Sequence, residues 1–115
     1  MSPEDVVLAE LRAWSSGDAE KITSYFAPKA IWENVPIGVV RGRDEIRKSV
    51  EGYLAHISRM NIEVLNLATA GNLVLTERID HFVWDGRTTA ARCMGAFEVS
   101  GDKITAWRDY FDRGH

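Results

Sequence analysis

The sequence lacks several features that would assign it to a specialised class. It contains a single cysteine, Cys93, so no internal disulfide can form. A net charge of −3 provides neither the electrostatic footprint of a nucleic-acid-binding protein nor a polybasic patch for a membrane surface. The N-terminus lacks the apolar core of a signal peptide, and no apolar run is long enough to cross a bilayer. We therefore expect a cytoplasmic protein that binds neither nucleic acid nor membrane.

The chain does contain enough apolar material for one packed domain. Its 115 residues are 45% hydrophobic, which is typical of a globular domain and not of a disordered segment. We expect a single domain over residues 1–115. The histidines do not have metal-ligand spacing, so we expect no metal, and the sequence contains no glycine-rich phosphate loop.

The first part of the chain carries the signals of two helices. Ser2, followed by a proline and two acids, is a typical capped helix start, and Gly17 is a typical stop. Asp18 then predicts the cap of a second helix, which runs to about Phe26. The apolar stripe of the first helix consists of Val7, Leu11 and Trp14.

A short strand and a longer helix are predicted next. The strand covers Ala30–Val35, ends at Pro36, and has Trp32 and Asn34 on one face. Asp44 predicts the cap of the helix. The apolar stripe of that helix consists of Ile46, Val50, Tyr53, Leu54 and Ile57.

From Asn61 onward the pattern changes to strands. Turn signals predict four long antiparallel strands, at approximately 60–70, 73–84, 88–99 and 103–112, with Gly95 as a bend point of the third. Helices followed by such strands indicate an α+β fold, in which a strongly curved antiparallel sheet wraps around the N-terminal helices. The turn signals are Gly71-Asn72, Asp85-Gly86 and Gly101-Asp102.

Two of these strands carry acidic residues and an arginine at positions where they can meet. Side chains two positions apart share a strand face, so Arg78 projects with Asp80, and Asp109 projects with Trp107 and Phe111. On a shared concave face, two carboxyl groups would flank one guanidinium. In apolar surroundings the most favourable state of this cluster is one carboxylate, one guanidinium and one protonated acid. That state places a base beside an acid, which suits the addition of water to a strained cyclic ether.

Plainer interpretations of the same residues remain open. An arginine and an aspartate two apart on a strand most often form a solvated face, although an aspartate between two large aromatics, as Asp109 is, argues against this. Asn34 precedes Val35 and Pro36, so it could be a turn residue that bonds to its own backbone. It could equally be an amide that holds a water molecule.

Several of these segments resemble the limonene-1,2-epoxide hydrolase family. The strongest resemblance is the segment Lys103–Asp112, and the order and spacing match over nearly the whole chain. The resemblance implies the cone-shaped barrel of the nuclear transport factor 2 and SnoaL-like type. It also implies a cofactor-free homodimer and hydrolysis in one step without a covalent intermediate. The other matching segments are Arg78-x-Asp80, Asn34-Val35-Pro36 and Gly42-Arg43-Asp44-Glu45-Ile46.

The resemblance also implies a role for each polar residue of the cluster. Asp109 would be the general base on water, Asp80 the general acid toward the epoxide oxygen, and Arg78 the bridge between them. Asn34 would help to hold the water. The family usually has a tyrosine two residues before this asparagine, but here the residue is Trp32, whose indole can donate a hydrogen bond and cannot accept one. The expected apolar pocket is lined by Trp14, Tyr53, Ile57, Phe82, Cys93 and Phe111.

Three classes of function remain open at this point. The leading hypothesis is an epoxide hydrolase that converts a small apolar epoxide into a vicinal diol. The alternative is an isomerase or an epoxide cyclase on the same fold, and the third is a non-catalytic domain that binds a hydrophobic ligand.

The outer face of the strand at 73–84 carries an apolar row, which consists of Leu75, Ile79 and Val83. These side chains need to be covered from solvent, and a second copy of the chain could cover them.

Overall fold

In the computed structural model, residues 1–35 and 37–112 are described, and they form helices packed on one sheet. No helix in this part of the chain is long and apolar enough to cross a membrane. The helices are α1 over Pro3–Ala13, α2 over Ala19–Thr23 and α3 over Arg43–Leu54, with a 3-10 turn at Trp14–Ser16. The strands are β1 over Phe26–Val35, β2 over Gly38–Arg41, β3 over Ile57–Ala70, β4 over Leu73–Trp84, β5 over Arg87–Ser100 and β6 over Lys103–Phe111.

The described strands form a single curved sheet in the order β2-β1-β6-β5-β4-β3. Neighbouring strands are antiparallel except for β1 and β6, which run parallel. The predicted α+β fold is confirmed, but with two corrections. The sheet is open, because β2 and β3 at its edges do not pair, so the barrel is not closed. The sheet is also mixed, because β1 pairs in parallel with β6, from which it is separated in the chain by β2, α3, β3, β4 and β5.

The predicted start of the first helix is confirmed by its hydrogen bonds. The hydroxyl of Ser2 accepts from the backbone N–H of Asp5 at 3.1 Å, and the Asp5 carboxylate accepts from the Ser2 N–H at 3.2 Å. This reciprocal pair satisfies two N–H groups at the helix end. Gly17, at φ 68°, closes the 3-10 turn, and Asp18 caps α2 by accepting from two backbone N–H groups. These caps fix where α1 begins and where the chain turns into α2.

The second helix is shorter than predicted. It ends at Thr23, and Phe26 is already the first residue of β1, where it pairs with Ile104 of β6. The backbone N–H of Ile104 also donates to the carbonyl of Tyr25 at 2.8 Å. Pairing with a distant strand therefore overrides the local helical signal. The predicted strand over Ala30–Val35 is correspondingly longer.

The boundaries around the third helix also differ from the prediction. Its N-cap is Gly42, at φ 88°, and Asp44 lies in the first turn without capping it. Strand β2 was not predicted at all. Ile57 is the first residue of β3 and not the last residue of the helical stripe. Pro36, which was predicted to end the first strand, lies outside the described residues.

The core lies between the concave face of the sheet and the helices. Leu11 of α1 is 2% exposed and belongs to the buried cluster, whereas Leu8 on the same helix is only half-buried. Phe97 and Trp107 stack on neighbouring strands, with 4.9 Å between their ring centroids. The helix thus packs its apolar stripe directly on the strands that carry the acidic residues.

We predict that Leu11→Ala lowers the free energy of unfolding by roughly 2–5 kcal/mol, because it leaves a cavity under α1. The matched control is Leu8→Ala, which removes the same atoms from a half-buried position and should cost about 1 kcal/mol. Urea or guanidinium denaturation followed by circular dichroism measures both variants. Equal losses would show that α1 is not docked as described.

Candidate active site

Strand pairing brings the candidate residues together on the concave face. The parallel pairing of β1 with β6 places Asn34 beside Asp109. Asp109 on β6 lies opposite Gly95 on β5, and Gly95 in turn lies opposite Thr76 on β4. Four adjacent strands therefore contribute to one row, and Arg78 lies two residues along β4 from this row.

Arg78 is the centre of the polar cluster, and its side chain is fully buried. Its Nη1 and Nη2 atoms donate to the two Asp109 oxygens at 2.9 Å each. Its Nε and Nη2 atoms donate to the two Asp80 oxygens at 3.2 and 3.1 Å. Its Nη1 also donates to the hydroxyl of Thr76 at 3.3 Å. All five N–H donors of the guanidinium are therefore used, and the two carboxyl groups flank it as the strand positions predicted.

Gly95 makes room for this cluster. A Cβ at this position would lie 2.6 Å from Oδ1 of Asp109 and closer still to Nη1 of Arg78. Arg78 reaches Asp109 diagonally across β5, so a side chain on the intervening strand would occupy the path of the guanidinium. The register of β4 with β5 continues without a shift through Gly95, and the shift of β5 against β6 lies between Glu98 and Val99. Gly95 is therefore needed to leave space for the side chains of Arg78 and Asp109, whereas the sequence pattern predicted a bend point of β5.

Burial and the neighbouring charges determine the electrostatics of the pair. Burial raises the pKa of Asp109, and this outweighs the lowering by the charge and hydrogen bonds of Arg78. The indole Nε1 of Trp107 also donates to Oδ1 of Asp109, at 2.6 Å. Burial acts to lower the pKa of Arg78, but the charges of Asp109 and Asp80 raise it above its ordinary value. Arg78 is therefore permanently charged, and Asp109 is a stronger base than a solvated aspartate.

Cys93 lies at the edge of this cluster as a neutral thiol. Its Sγ donates to Oδ2 of Asp80 at 3.7 Å. Burial raises the pKa of the thiol, and Asp109 raises it further, so the thiolate is disfavoured. The ligand atoms of Asp80, Cys93 and Asp109 lie within 4.8 Å of one another, a spacing that a metal ion could use. The guanidinium of Arg78 already bonds both carboxylates, so these residues do not offer a free set of anionic ligands.

An apolar cavity of about 230 Å³ opens over the acidic pair. The six predicted lining residues, from Trp14 to Phe111, all lie in its wall, and their contact with a substrate stays a prediction. Asn34, Asp80 and Asp109 supply polar groups to this wall. Trp84 also lines it and was missed, although it shares the face of Asp80 in β4 and the alternation could have found it. The other lining residues that were not predicted are Ile37, Met60, Ile62, Ala91 and Trp107.

Asn34 and Trp32 differ in what they present to this cavity. The backbone carbonyl of Asn34 accepts from the Ile37 N–H at 2.6 Å, which forms the turn and leaves the side chain in the cavity wall. Trp32 stacks on Trp107 with 5.2 Å between ring centroids. Its Nε1 is buried and has no hydrogen-bond partner among the described residues. The role of either residue in holding water stays a prediction.

Sequence reasoning missed one buried acid, Glu10 on α1. Its side chain is fully buried, and neither carboxyl oxygen has a hydrogen-bond partner among the described residues. A sequence signal for it does exist. Glu10 lies three residues after Val7 and four before Trp14, on the apolar stripe of the helix. A charged residue on such a stripe indicates a buried acid.

Known proteins resemble this chain in sequence and in fold. Residues 7–107 match the family model described as a SnoaL-like domain. The epoxide hydrolase EphG of Mycobacterium tuberculosis is 27% identical over 106 residues, which are 92% of this chain and 70% of that protein. The structure of an M. tuberculosis LEH-like epoxide hydrolase has a TM-score of 0.87 at 26% identity, over 96% of this chain and 82% of that chain. A hypothetical protein of Catenulispora acidiphila with a ketosteroid isomerase-like fold, in complex with trimethylamine, has a TM-score of 0.87 at 22% identity, over 98% and 88% of the two chains.

We predict that Gly95→Ala destabilises the protein by about 1–3 kcal/mol, because Arg78 and Asp109 must separate to admit the methyl group. The matched control is Gly52→Ala in α3, where an added Cβ meets no atom within 4 Å. That change should stabilise the protein by about 0.5–1 kcal/mol, since glycine is unfavourable inside a helix. Chemical denaturation compares the two, and a stable Gly95→Ala protein would contradict the role assigned to this glycine.

Proposed function

The chain belongs to the SnoaL-like domain family, and from its site we propose that it is a cofactor-independent epoxide hydrolase. It adds water to a small apolar epoxide and gives a vicinal diol. The observation that carries the proposal is the arginine-bridged pair, Asp80 and Asp109, in the wall of an apolar cavity. The similarity to EphG of M. tuberculosis and to the structure of an M. tuberculosis LEH-like epoxide hydrolase supports it.

The base in this proposal is Asp109. A water molecule lies between its carboxylate and the amide of Asn34, which stands beside it in the parallel strand pair. As the water oxygen attacks a ring carbon, Asp109 takes one water proton. Its raised pKa suits this task, because a base is most effective when its pKa approaches the working pH.

The acid in this proposal is Asp80. The bond between the attacked carbon and the ring oxygen breaks in the same step, and Asp80 gives its proton to that oxygen, so that no bare alkoxide forms. One proton enters the cluster at Asp109 and one leaves it at Asp80, so the net charge of the dry site stays constant. Arg78 remains bonded to both carboxyl groups throughout. After diol release, Asp109 loses its proton to solvent and Asp80 takes one up, which restores the starting state.

The cavity supports a small apolar substrate. Its wall is largely aromatic, and the aromatic rings of Trp14, Trp32 and Tyr53 form one side of it. Such a surface excludes water from the reacting atoms and binds a hydrocarbon ring by burial of apolar area. The polar groups of the wall then orient the epoxide oxygen toward Asp80.

An isomerase or an epoxide cyclase on the same fold is the alternative. The observation that favours it is the buried, unpartnered Nε1 of Trp32, which leaves the attacking water with fewer ligands. A cyclase would keep the acid and base and use a substrate hydroxyl in place of water. An isomerase would move a proton beside a carbonyl with one carboxylate. A non-catalytic domain would bind the hydrophobic ligand and release no product.

We predict that Asp109→Asn and Asp80→Asn each lower diol formation by about 10²–10⁴-fold, because each removes one of the two proton transfers. The assay uses limonene oxide, cyclohexene oxide and styrene oxide in oxygen-18 water, with circular dichroism to check folding. The control is Asp102→Asn, whose carboxylate is 71% exposed in a turn.

The label separates the competing functions in this experiment. Oxygen-18 in the diol favours hydrolysis and excludes isomerisation and cyclisation. Loss of isotope from the α-carbon of a ketone favours an isomerase. Epoxides that raise the melting temperature without any product favour a binding domain. Near-normal turnover by either aspartate variant would make the assignment of acid and base wrong.

We also propose that the protein is a homodimer that pairs through the outer face of its sheet. Met94 of β5 lies opposite Tyr110 of β6, and both side chains are about half exposed, at 50% and 48%. Leu75 of β4, 42% exposed, is a diagonal neighbour of Met94. Ile79 and Val83, which were also expected to need cover, are already half-buried. These three apolar side chains lie on adjacent strands around Glu77, which is opposite Met94, and exposed apolar groups that lie close together are typical of an interface surface.

We predict that Met94→Lys gives a monomer, because the ammonium group would have to lose its water in the dimer, and Glu77, which lies opposite it on β4, already accepts a hydrogen bond from Asn66. The control is Thr88→Lys, an exposed position on the same face of β5, six residues away. Light scattering after size-exclusion chromatography gives the mass of each variant. A wild-type monomer, or a Met94→Lys dimer, would contradict this interface.

A further inference from the structure

One buried acid is not used by the proposed reaction, and that acid is Glu10. It has no solvent exposure, and its two carboxyl oxygens have no hydrogen-bond partner among the described residues. The other buried polar residues near the site differ in this respect. Asp109, Arg78 and Thr76 all take part in hydrogen bonds. A fully buried carboxyl group without a partner is unusual, because an unpaired charge inside a protein is strongly unfavourable.

The surroundings of Glu10 combine apolar packing with the charges of the site. α1 contacts β3, β4, β5 and β6 on the concave face. One helical turn away, the Nε1 of Trp14 is also buried without a hydrogen-bond partner among the described residues. Strand β3 contributes apolar side chains from Met60 to Leu67. The titratable groups that the other strands place on the concave face near α1 are Arg78 and Asp80 on β4, Cys93 on β5 and Asp109 on β6.

The hydrogen bonds of Arg78 leave no donor for an ionised Glu10. All five N–H groups are bonded to Asp80, Asp109 and Thr76. The single positive charge of Arg78 is also shared by two aspartates. A negative Glu10 would therefore add an uncompensated charge to a dry region, whereas a protonated Glu10 adds none.

We propose that Glu10 is a carboxylic acid that stays protonated at neutral pH behind the Asp80–Arg78–Asp109 cluster, and that its ionisation at alkaline pH sets the upper pH limit of the folded site. Glu10 is a positioning residue, since it touches no reacting atom. Once ionised, it would attract the guanidinium of Arg78 away from the aspartates. It would also disfavour the loss of the Asp80 proton. Its effect on catalysis rests on the proposed function, whereas its protonation and its effect on stability do not.

The direction of the pKa shift supports this proposal and gives its pH dependence. Burial raises the pKa of Glu10 well above its ordinary value, and the charges of Asp109 and Asp80 raise it further. The charge of Arg78 and the nearby indole N–H of Trp14 lower it less, and that N–H does not meet the geometry of a hydrogen bond to the carboxyl group. Between the ordinary pKa and the raised one, the folded protein keeps a proton that the unfolded chain has lost. The free energy of unfolding therefore falls as the pH rises through this window.

The first test compares the stability of Glu10→Gln with that of the wild type across pH. Glutamine keeps the shape of a protonated glutamate and cannot ionise. We expect the melting temperature of the variant, relative to the wild type, to increase steadily between about pH 5 and pH 9. The matched control is Glu4→Gln, an exposed position on the same helix, which should show no such trend. A difference that does not change with pH would overturn the proposal.

The second test detects the proton directly by infrared spectroscopy. At neutral pH the wild type should show the carbonyl band of a protonated carboxylic acid, and Glu10→Gln should lack it. Protein labelled with carbon-13 glutamate shifts this band and leaves any band of Asp80 or Asp109 in place. Absence of a label-sensitive band from the wild type would show that Glu10 is ionised and would overturn the proposal.

The third test measures the pH dependence of kcat for diol formation, and it is independent of the first two tests. The pH at which half of kcat is lost on the alkaline side should be higher for Glu10→Gln than for the wild type. An unchanged alkaline limb would overturn the catalytic part of the proposal. A wild type that forms no diol would overturn the proposed function. The stability trend and the infrared band would then still decide the protonation of Glu10.

Discussion

The site depends on one buried guanidinium. Arg78 uses all five of its N–H groups, and four of them bond two aspartates that would otherwise repel each other in a dry region. Its positive charge lies between the two carboxyl groups and is bonded to both. In the proposed reaction one of these groups acts as the base and the other as the acid. Arg78 therefore holds in place the two groups on which that proposal depends.

The space for the Arg78 side chain is left by Gly95 on β5, the strand between β4 and β6. Arg78 and Asp109 are on β4 and β6, and the concave face of β5 separates them. Because Gly95 has no side chain, the guanidinium crosses β5 and meets Asp109 directly. The parallel pairing of β1 with β6 then adds Asn34 beside the base. Backbone register and one absent side chain, and not loop flexibility, determine the geometry.

The same scaffold is compatible with more than one chemistry. The cavity supplies apolar walls, and the sheet supplies positions at which polar side chains can converge. Water addition, isomerisation and cyclisation would differ in which nucleophile or acidic carbon lies beside Asp109. The fold therefore narrows the function less than the residues in the cavity do. On the helix side, α1 adds a further buried acid, Glu10, which the described strands do not bond.

Local patterns in the sequence determined much of this protein. Alternation along the strands predicted that Arg78 and Asp80 share a face, because side-chain direction in a strand follows position alone. Glycine-containing turns and helix caps located most elements for the same local reason. Only the tertiary structure decided the rest. The length of β1, the spatial role of Gly95 and the pairing of Asn34 with Asp109 depend on contacts between residues far apart in sequence, which no local pattern contains.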